Sequence, residues 1–324
     1  NKTAKEAIIM EHVIAFPGLG LEFTINRVAF TVFGKEIYWY GIIICVGFIL
    51  AALYLNFRVK KFGFTSDNLI DCMIICVPVG VVCARLYYVV FEWEYYSQHP
   101  AEIVAVWNGG IAIYGAVIGV LIALFAYSRF KKLSFAGLCD MAALGLLIGQ
   151  CIGRWGNFIN GEAHGGTTLL PWRMTIDAGS PVHPTFLYES LWNLVGFIAL
   201  HFISKKRKFE GEIALLYVAW YGLGRAWIEG LRTDSLYLGP MRVSQILAVI
   251  SCAAAIVILV RKYNRIAVSK KFYQPPAPVP AEAPVPVEQP AGSEKPKTAQ
   301  ESAAPAQEPA ANGSPAAESA PEQK

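Results

Sequence analysis

The sequence predicts an all-α polytopic membrane protein of about seven transmembrane helices, with a small extracytoplasmic cap and a disordered C-terminal tail. Of its 324 residues, 55% are hydrophobic and only 16% are charged. Ordinary soluble domains carry about 25% charged residues, so this composition excludes an average soluble enzyme. The mean hydropathy is +0.41 even though a polar tail is included in the average. Long apolar stretches, separated by short polar loops, account for that value.

Seven stretches approach the roughly 20 apolar residues that a spanning helix needs. We expect helices at 38–56, 68–91, 111–128, 135–152, 185–204, 212–230 and 242–260. The third, fourth and sixth stretches are rich in glycine, which lets helix backbones approach closely in lipid. We therefore expect those three helices inside the bundle, and residues 38–262 to form one transmembrane domain.

The segment before the first helix, residues 1–37, is the predicted extracytoplasmic N-terminal segment. The chain begins at Asn1, and Met10 is a candidate for the natural start, so residues 1–9 carry no weight in the fold prediction. In residues 11–37, apolar side chains occur together with Pro17 and Gly34. This pattern predicts an amphipathic or hairpin-like piece on the membrane surface.

Lysine and arginine are distributed unevenly between successive loops. They are frequent in 57–67, 129–134 and 205–211, whereas 92–110 has none and 153–184 has two. Because basic loops stay in the cytoplasm, the pattern predicts an N-terminus outside and a C-terminus inside. The N-terminal segment, which carries four basic residues, does not fit the alternation.

The last predicted region is 263–324, a basic stretch followed by a tail rich in proline, alanine and glutamate. From Tyr273 onward the tail holds seven acids and three bases, a net charge of −4. Such a segment cannot bury enough apolar surface to offset the entropy of ordering, so we expect it to be cytoplasmic and disordered.

Ionisable residues in membrane helices are costly and usually mark function. In the sixth stretch Arg225, Glu229 and Arg232 recur at helical spacing on one face, which suits an anionic group. The alternative is an interhelical ion pair, with an arginine held by Glu189 or Asp140.

The densest run of polar side chains is GRWGNFINGEAHG at 153–165, where the fourth helix is expected to leave the membrane. It combines Arg154, Asn157, Asn160 and Glu162 with four glycines. Glycine allows close backbone approach, and arginine and asparagine supply convergent donors, which together suit a phosphodiester headgroup. The alternative is a polar exit loop with a helix cap.

This run also resembles the signature of bacterial prolipoprotein diacylglyceryl transferases. Further motifs of that family follow in order between about residues 20 and 262: Tyr38-Trp39-Tyr40-Gly41, Ala84-Arg85-Leu86, Asn108-Gly109-Gly110-Ile111, the run from His183 to Glu189, Tyr221-Gly222 with Arg225, Glu229, Arg232 and Asp234, and Ser244-Gln245. The resemblance implies transfer of a diacylglyceryl group from phosphatidylglycerol to the lipobox cysteine thiol of a prolipoprotein. A thioether forms and glycerol 1-phosphate leaves.

The resemblance also implies a location and partners. We expect a multi-pass protein of the bacterial inner membrane that binds phosphatidylglycerol, the prolipoprotein lipobox and membrane lipids, and no nucleic acid. Neither a metal nor a soluble cofactor is expected. The seven cysteines form no CxxC pair, which also argues against a zinc site or a disulfide framework.

Roles can be carried over residue by residue on the same resemblance. Arg154 and Arg225 would neutralise the leaving phosphate, since guanidinium binds phosphate bidentately. The rest of the expected lipid-binding set is Tyr40, Asn157, Asn160, Glu162, Gly165 and Glu229, with Glu162 fixing an arginine. Where many members carry a histidine, this chain has Tyr114, so the thiol base stays open between Tyr114, Tyr221 and His164.

Three other classes of protein compete with this interpretation. A small-solute or ion transporter would need reactive groups at both faces, whereas here they gather at one end of helices four to seven. An intramembrane protease would need a Ser–His pair, paired aspartates or HExxH, none of which occurs in the sequence. A non-catalytic lipid-binding scaffold is the third alternative.

Overall fold

The computed structural model describes residues 11–233, 237–238 and 241–269, in which seven long helices dominate. In chain order they are α1 (Trp39–Arg58), α2 (Ser66–Phe91), α3 (Ile113–Phe130), α4 (Phe135–Asn160), α5 (Thr185–Ser204), α6 (Glu212–Ile228) and α7 (Val243–Ser269). Each coincides with one of the seven predicted stretches. Residues 1–10, Asp234 and the predicted tail lie outside the described residues.

Six segments of the described chain are long and apolar enough to cross a membrane: Trp39–Phe62, Ser66–Phe91, Ile113–Phe130, Phe135–Asn160, Thr185–Ser204 and Val243–Ala267. Helix α6 is shorter, with 17 residues, and it carries Glu212 at its start and Arg225 in its last turn. The chain is therefore a polytopic helical membrane protein, as predicted.

Local capping explains where several helices begin and end. Thr65 and Asn68 form a reciprocal capping box at the start of α2. The Ser134 hydroxyl accepts from the backbone N–H of Gly137 and starts α4. Helix α4 ends at Gly161, whose φ of +63° is the left-handed conformation that glycine adopts without strain.

Helix α4 is longer than predicted, because it continues through residues 153–160 instead of ending near 152. Most of the signature is thus helical and is not an exit loop. Gly153 and Gly156 do not end the helix, since both pack against α1. The side chain of Ile44 fills the space beside Gly153, and the ring of Tyr40 fills the space beside Gly156.

The packing centres on α4, which contacts α1, α5 and α6 extensively. Leu138, Leu144 and Leu147 on α4 are completely buried in the main core. Helix α6 also lies inside, between α4, α5 and α7. The prediction was wrong for α3, which packs chiefly along α2 through Gly115 and Gly119, where Cys83 leaves no room for a larger side chain.

Four short strands precede α1 and form two hairpins. Strands β1 (Glu11–Phe16) and β2 (Leu21–Asn26) pair antiparallel, as do β3 (Val28–Val32) and β4 (Lys35–Tyr38). Strand β5 (Thr175–Ile176) adds to the free edge of β1, so that the order is β2-β1-β5. A last hairpin, β6 (Tyr237–Leu238) and β7 (Met241–Arg242), precedes α7.

The two ends of the bundle differ in chemistry. One end, the site end, contains the 11–38 hairpins and the 161–184 loop, which are joined by the β1–β5 pairing. The other end, the basic end, contains the loops 59–65, 131–134 and 205–211. Arg207 joins the 205–211 loop to the 59–65 loop and to α4, because it donates to the Phe62 carbonyl and pairs with Asp140.

Candidate functional site

The last two turns of α4 carry a chain of polar contacts. Arg154 and Asn157 lie one turn apart, and the Arg154 Nη1 donates to Asn157 Oδ1 at 3.1 Å. The Nδ2 groups of Asn157 and Asn160 both donate to Glu162 Oε1, each at 3.1 Å. Glu162 thus holds two asparagines, whereas the sequence led us to expect it to hold an arginine. Because α4 stays helical, all four side chains gather at its end.

Glu189 of α5 is the centre of the site. Its side chain is only 5% exposed, and its Oε2 lies 2.5 Å from Arg154 Nη2 and 3.4 Å from Arg225 Nη1. Its other oxygen, Oε1, lies 3.3 Å from Arg232 Nη1. One buried carboxylate therefore brings together guanidinium groups from α4, from α6 and from the segment after α6.

Glu229, directly after α6, is the second buried carboxylate. Its Oε2 lies 2.7 Å from Arg225 Nη2 and 3.9 Å from Arg232 Nε. The Ser244 hydroxyl donates to its Oε1 at 2.6 Å. The predicted charged face of Arg225, Glu229 and Arg232 is therefore present, and so is the alternative interhelical ion pair, because Arg225 also contacts Glu189.

Both predicted phosphate-binding arginines remain partly open. The side chain of Arg154 is 23% exposed and that of Arg225 is 20% exposed, compared with 3–5% for the two glutamates. Both Nη atoms of each arginine already have partners, but about a fifth of each side chain stays exposed. This arrangement can bind an anion by charge-assisted hydrogen bonds.

Tyr40, near the start of α1, packs its ring against Gly156 of α4. It also lines an open groove on the outer side of α1, of about 1140 Å³ including the space open to its surroundings. Asn160 lies at one side of this groove, and the wall is mostly apolar, formed by residues such as Ile42, Val46 and Ile49. The groove joins an apolar surface to the polar end of α4.

The two tyrosines proposed as thiol bases both lie by Arg225. The Tyr221 ring stacks on that of Tyr217, with the centroids 5.8 Å apart, and Tyr221 borders a small cavity that is also lined by Glu189 and Arg225. Tyr114 of α3 is 40% exposed and lies within electrostatic reach of Arg225, Glu229 and Tyr221. The third candidate, His164, has its Nδ1 3.0 Å from the Gly165 carbonyl.

Gly165, predicted to bind lipid, is buried where the signature loop contacts the backbone of His183 and Arg232. Its N–H donates to the His183 carbonyl at 2.9 Å, and it forms a β-bridge with Arg232. A Cβ placed here would lie 2.7 Å from His183 Cβ and 3.0 Å from the Leu231 carbonyl oxygen. Its role in this geometry is to hold the Arg232 segment against the signature loop.

A reciprocal pair of tryptophans fixes α5 against α6. The Nε1 of Trp192 donates to the Trp220 carbonyl and the Nε1 of Trp220 to the Trp192 carbonyl, both at 3.0 Å. Their rings stack at 4.3 Å, and each lies on a glycine of the opposite helix, Gly224 or Gly196. This register places Glu189, one turn before Trp192, opposite Arg225.

Comparison with known proteins gives the family. The sequence model described as prolipoprotein diacylglyceryl transferase matches residues 27–261. The chain belongs to the prolipoprotein diacylglyceryl transferase family. The chain is 46% identical over 248 residues to a protein of Clostridioides difficile, covering 76% of this chain and all of that protein.

Two further family members agree. One from Clostridium novyi is 44% identical over 246 residues, which cover 73% of this chain and 95% of the relative. One from Listeria monocytogenes is 41% identical over 261 residues, covering 77% and 93%. All three relatives carry the name phosphatidylglycerol–prolipoprotein diacylglyceryl transferase. The matched residues include α1 to α6 and most of α7.

Two residues at the centre of this candidate site, Glu189 and Arg232, were not in the predicted site set. Glu189 was treated only as a possible partner for an arginine, and Arg232 only as part of a charged face. The available signals were an acid inside a predicted membrane helix and its place in the family motif from His183 to Glu189.

In the residues that the structure describes, no three His, Cys, Asp or Glu side chains are grouped as a metal site requires.

Proposed function

We propose that this chain transfers the diacylglyceryl group of phosphatidylglycerol to the thiol of a prolipoprotein lipobox cysteine. Membership of a transferase family whose relatives carry that name supports the activity. The observation that carries the proposal is the meeting of Arg154 and Arg225, both partly exposed, on the carboxylate of Glu189. The two guanidinium groups together would bind the phosphate of the lipid headgroup.

The reaction needs one bond to form as another breaks. The cysteine sulfur attacks the glycerol carbon that carries the phosphate, and the C–O bond to the phosphate breaks as the thioether forms. The thiol proton goes to a base, and the phosphodiester leaves as glycerol 1-phosphate, with more negative charge than it had before. Arg154 and Arg225 would meet that developing charge, which is the contribution that lowers the barrier most.

Glu189 would preorganise the arginines and would not touch the anionic lipid. It is buried, and its oxygens already accept from three guanidinium groups. Groups held in place before the reaction need no reorganisation during it. We assign Asn157, Asn160 and Tyr40 to orienting the headgroup, because they lie between the arginines and the apolar groove of α1.

The proton acceptor for the thiol is proposed to be Tyr114 or Tyr221. Both lie by Arg225, and Tyr114 is the more open of the two to an incoming peptide. A side chain that takes or relays the proton must be close to the sulfur in the reactive complex. Comparison of Tyr114→Phe with Tyr221→Phe would separate them, since removal of the acting hydroxyl lowers turnover.

The proposed location is the bacterial cytoplasmic membrane, with the site end facing outward and the basic end in the cytoplasm. The alternation of lysine and arginine between loops supports this orientation. Residues 38–262 would then be the catalytic domain, 1–37 the extracytoplasmic segment, and 263–324 a cytoplasmic extension.

The test is direct mass analysis of a lipobox peptide. Purified protein is incubated with the peptide in mixed micelles that contain phosphatidylglycerol, or phosphatidylcholine as a control donor. We expect a diacylglyceryl adduct on the cysteine with phosphatidylglycerol only, and none with a peptide whose cysteine is serine. An unmodified peptide with well-folded, monodisperse protein would overturn the proposal.

A further inference from the structure

Buried arginines in this protein are normally satisfied. Arg85 of α2 is 5% exposed and donates to four backbone carbonyls, those of Glu102, Ile103, Gly109 and Gly110. Arg207, at the basic end, is paired with Asp140 at 3.2 Å. Such partners are expected because a lone buried charge costs several kcal/mol.

Arg58, the last residue of α1, is different. It is only 1% exposed, yet its one hydrogen bond in the described structure is from Nη2 to Ser204 Oγ, at 2.7 Å. The Ser204 hydroxyl itself donates to the His201 carbonyl, so it is a neutral acceptor. Arg58 Nε is buried without a partner, and no described carboxylate forms an ion pair with this guanidinium.

The surroundings of Arg58 are cationic. The charged groups that act on the neighbouring His201 are Arg58, Lys205 and Lys61, with no acid among them. Arg58 and Arg207 both lie over the Phe62 ring, at 6.0 and 5.0 Å from its centroid. Asp140 pairs with Arg207 and also accepts from two backbone N–H groups at the start of α6. The chain as described therefore supplies no counterion here.

This position is at the edge of the bundle. Helices α1 and α5 both pack on α4, and they meet each other near this end through Tyr54 and His201, 2.7 Å apart. The residues beside the cluster point outward, since Phe57 is 77% exposed and Phe202 is 61% exposed. Lys61 and Lys205 are also exposed. An anion in the adjacent leaflet can thus approach the cluster from the lipid side.

We propose that the ends of α1 and α5 bind a phosphate group, that of an anionic lipid in the leaflet at the basic end, through Arg58, Lys61 and Lys205. The exposed Lys61 and Lys205 would contact the phosphate oxygens, and Arg58, which is 1% exposed, would attract the phosphate mainly through its uncompensated buried charge. This phosphate site lies at the opposite end of the bundle from Glu189. It binds lipid without reacting with it, and it goes beyond the proposed transferase activity.

Native mass spectrometry of the full chain tests this site. Protein stripped of lipid in detergent is titrated with dioleoylphosphatidic acid, dioleoylphosphatidylcholine or inorganic phosphate, and bound adducts are counted. We expect the affinity for one bound phosphatidic acid molecule to fall at least about tenfold in Arg58→Met, because the variant lacks the uncompensated buried charge. Lys205→Gln, which removes only an exposed rim charge, should weaken the same adduct by about threefold.

Controls separate this site from other causes. Lys132→Gln removes an exposed lysine from another loop of the same end and should leave the adduct unchanged. Arg154→Ala, at the site end, should also retain it, so the result does not depend on the proposed reaction. If inorganic phosphate displaces phosphatidic acid at a concentration similar to that of the lipid, the ligand of this site is free phosphate. If it does not displace the lipid, the ligand is the lipid headgroup. Equal lipid binding by Arg58→Met, Lys205→Gln and the parent would overturn the proposal. Lipid adducts that form only after removal of residues 274–324 would also overturn it, because the acidic tail would then occupy this site in the full chain.

Discussion

Replacement of Arg154 by alanine gives the sharpest test of the site. If Arg154 binds the leaving phosphate, its loss should lower turnover by about 10²–10³, or about 2.7–4 kcal/mol, as for removal of one anion-stabilising donor. The structure also offers a purely structural explanation, because Arg154 lies 2.5 Å from the buried carboxylate of Glu189. Removing one partner of a buried pair typically costs about 3–5 kcal/mol of stability. The single variant alone does not distinguish these two causes.

A double-mutant cycle with Glu189→Gln separates them. Glutamine keeps the shape of the side chain and removes its charge, so in Arg154→Ala/Glu189→Gln no buried carboxylate is left short of a partner. If Arg154 only neutralises Glu189, the double variant should match Glu189→Gln alone in both stability and turnover. If Arg154 acts on the phosphate, the double variant should match Glu189→Gln in thermal stability, while its turnover stays at least about 100-fold below that of Glu189→Gln.

The measurements are the thermal midpoint and the single-turnover rate of monodisperse protein, with the lipobox peptide and phosphatidylglycerol. Arg154→Lys should recover only part of the rate, because a point charge does not reproduce the guanidinium fork. Arg129→Ala, an exposed arginine at the end of α3, serves as the control. A rate of the double variant within tenfold of that of Glu189→Gln alone would remove Arg154 from the reaction.

Three further predictions follow from the same structure. Gly165→Ala should lower the thermal midpoint and the folded yield, since its Cβ would lie within 2.7–3.0 Å of backbone and side-chain atoms. Gly166→Ala is the control, because its Cβ would lie 3.9 Å from the nearest atom, and equal midpoints of the two variants would refute the packing argument. In a cysteine-free background and intact cells, an impermeant maleimide should label a cysteine at Thr167 but not at Lys132, and the reverse pattern would invert the proposed orientation. Truncation after Tyr273 should leave specific activity within about twofold, a small effect on a scale of 1.4 kcal/mol per tenfold, and a large loss with normal insertion would contradict it.

The fold was largely predictable because the bilayer imposes a simple rule on apolar length. All seven predicted stretches are helical, since backbone groups in lipid must bond within the segment. Helix ends and neighbours were less predictable. Helix α4 continues past Gly153 because Tyr40 and Ile44 of α1 pack beside its glycines, a contact that a search for apolar length does not detect. Similarly, the glycines of α3 predicted close packing correctly but not that α2 is its main neighbour.

The site was predictable as a set of residue types and not as a set of contacts. The motifs identified Arg154 and Arg225, and helical spacing joined Arg225 to Glu229. That Glu189 holds both arginines depends on the rotation and register of α5 against α4 and α6. Those quantities are set by tertiary contacts such as the Trp192–Trp220 pair, whose two hydrogen bonds join residues 28 positions apart.

The shared carboxylate of Glu189 explains how three like charges can lie close together. Arg154, Arg225 and Arg232 come from separate parts of the chain, and alone they would repel one another in a medium of low dielectric. Glu189 offsets that repulsion from the buried side, while Arg154 and Arg225 keep about a fifth of their surface open on the other. A carboxylate placed toward the substrate would repel the lipid phosphate, and an apolar residue in its place would let the arginines turn outward. A buried acid behind the arginines satisfies both requirements, so in the proposed phosphate site Glu189 would be as necessary as the arginines without contacting the lipid.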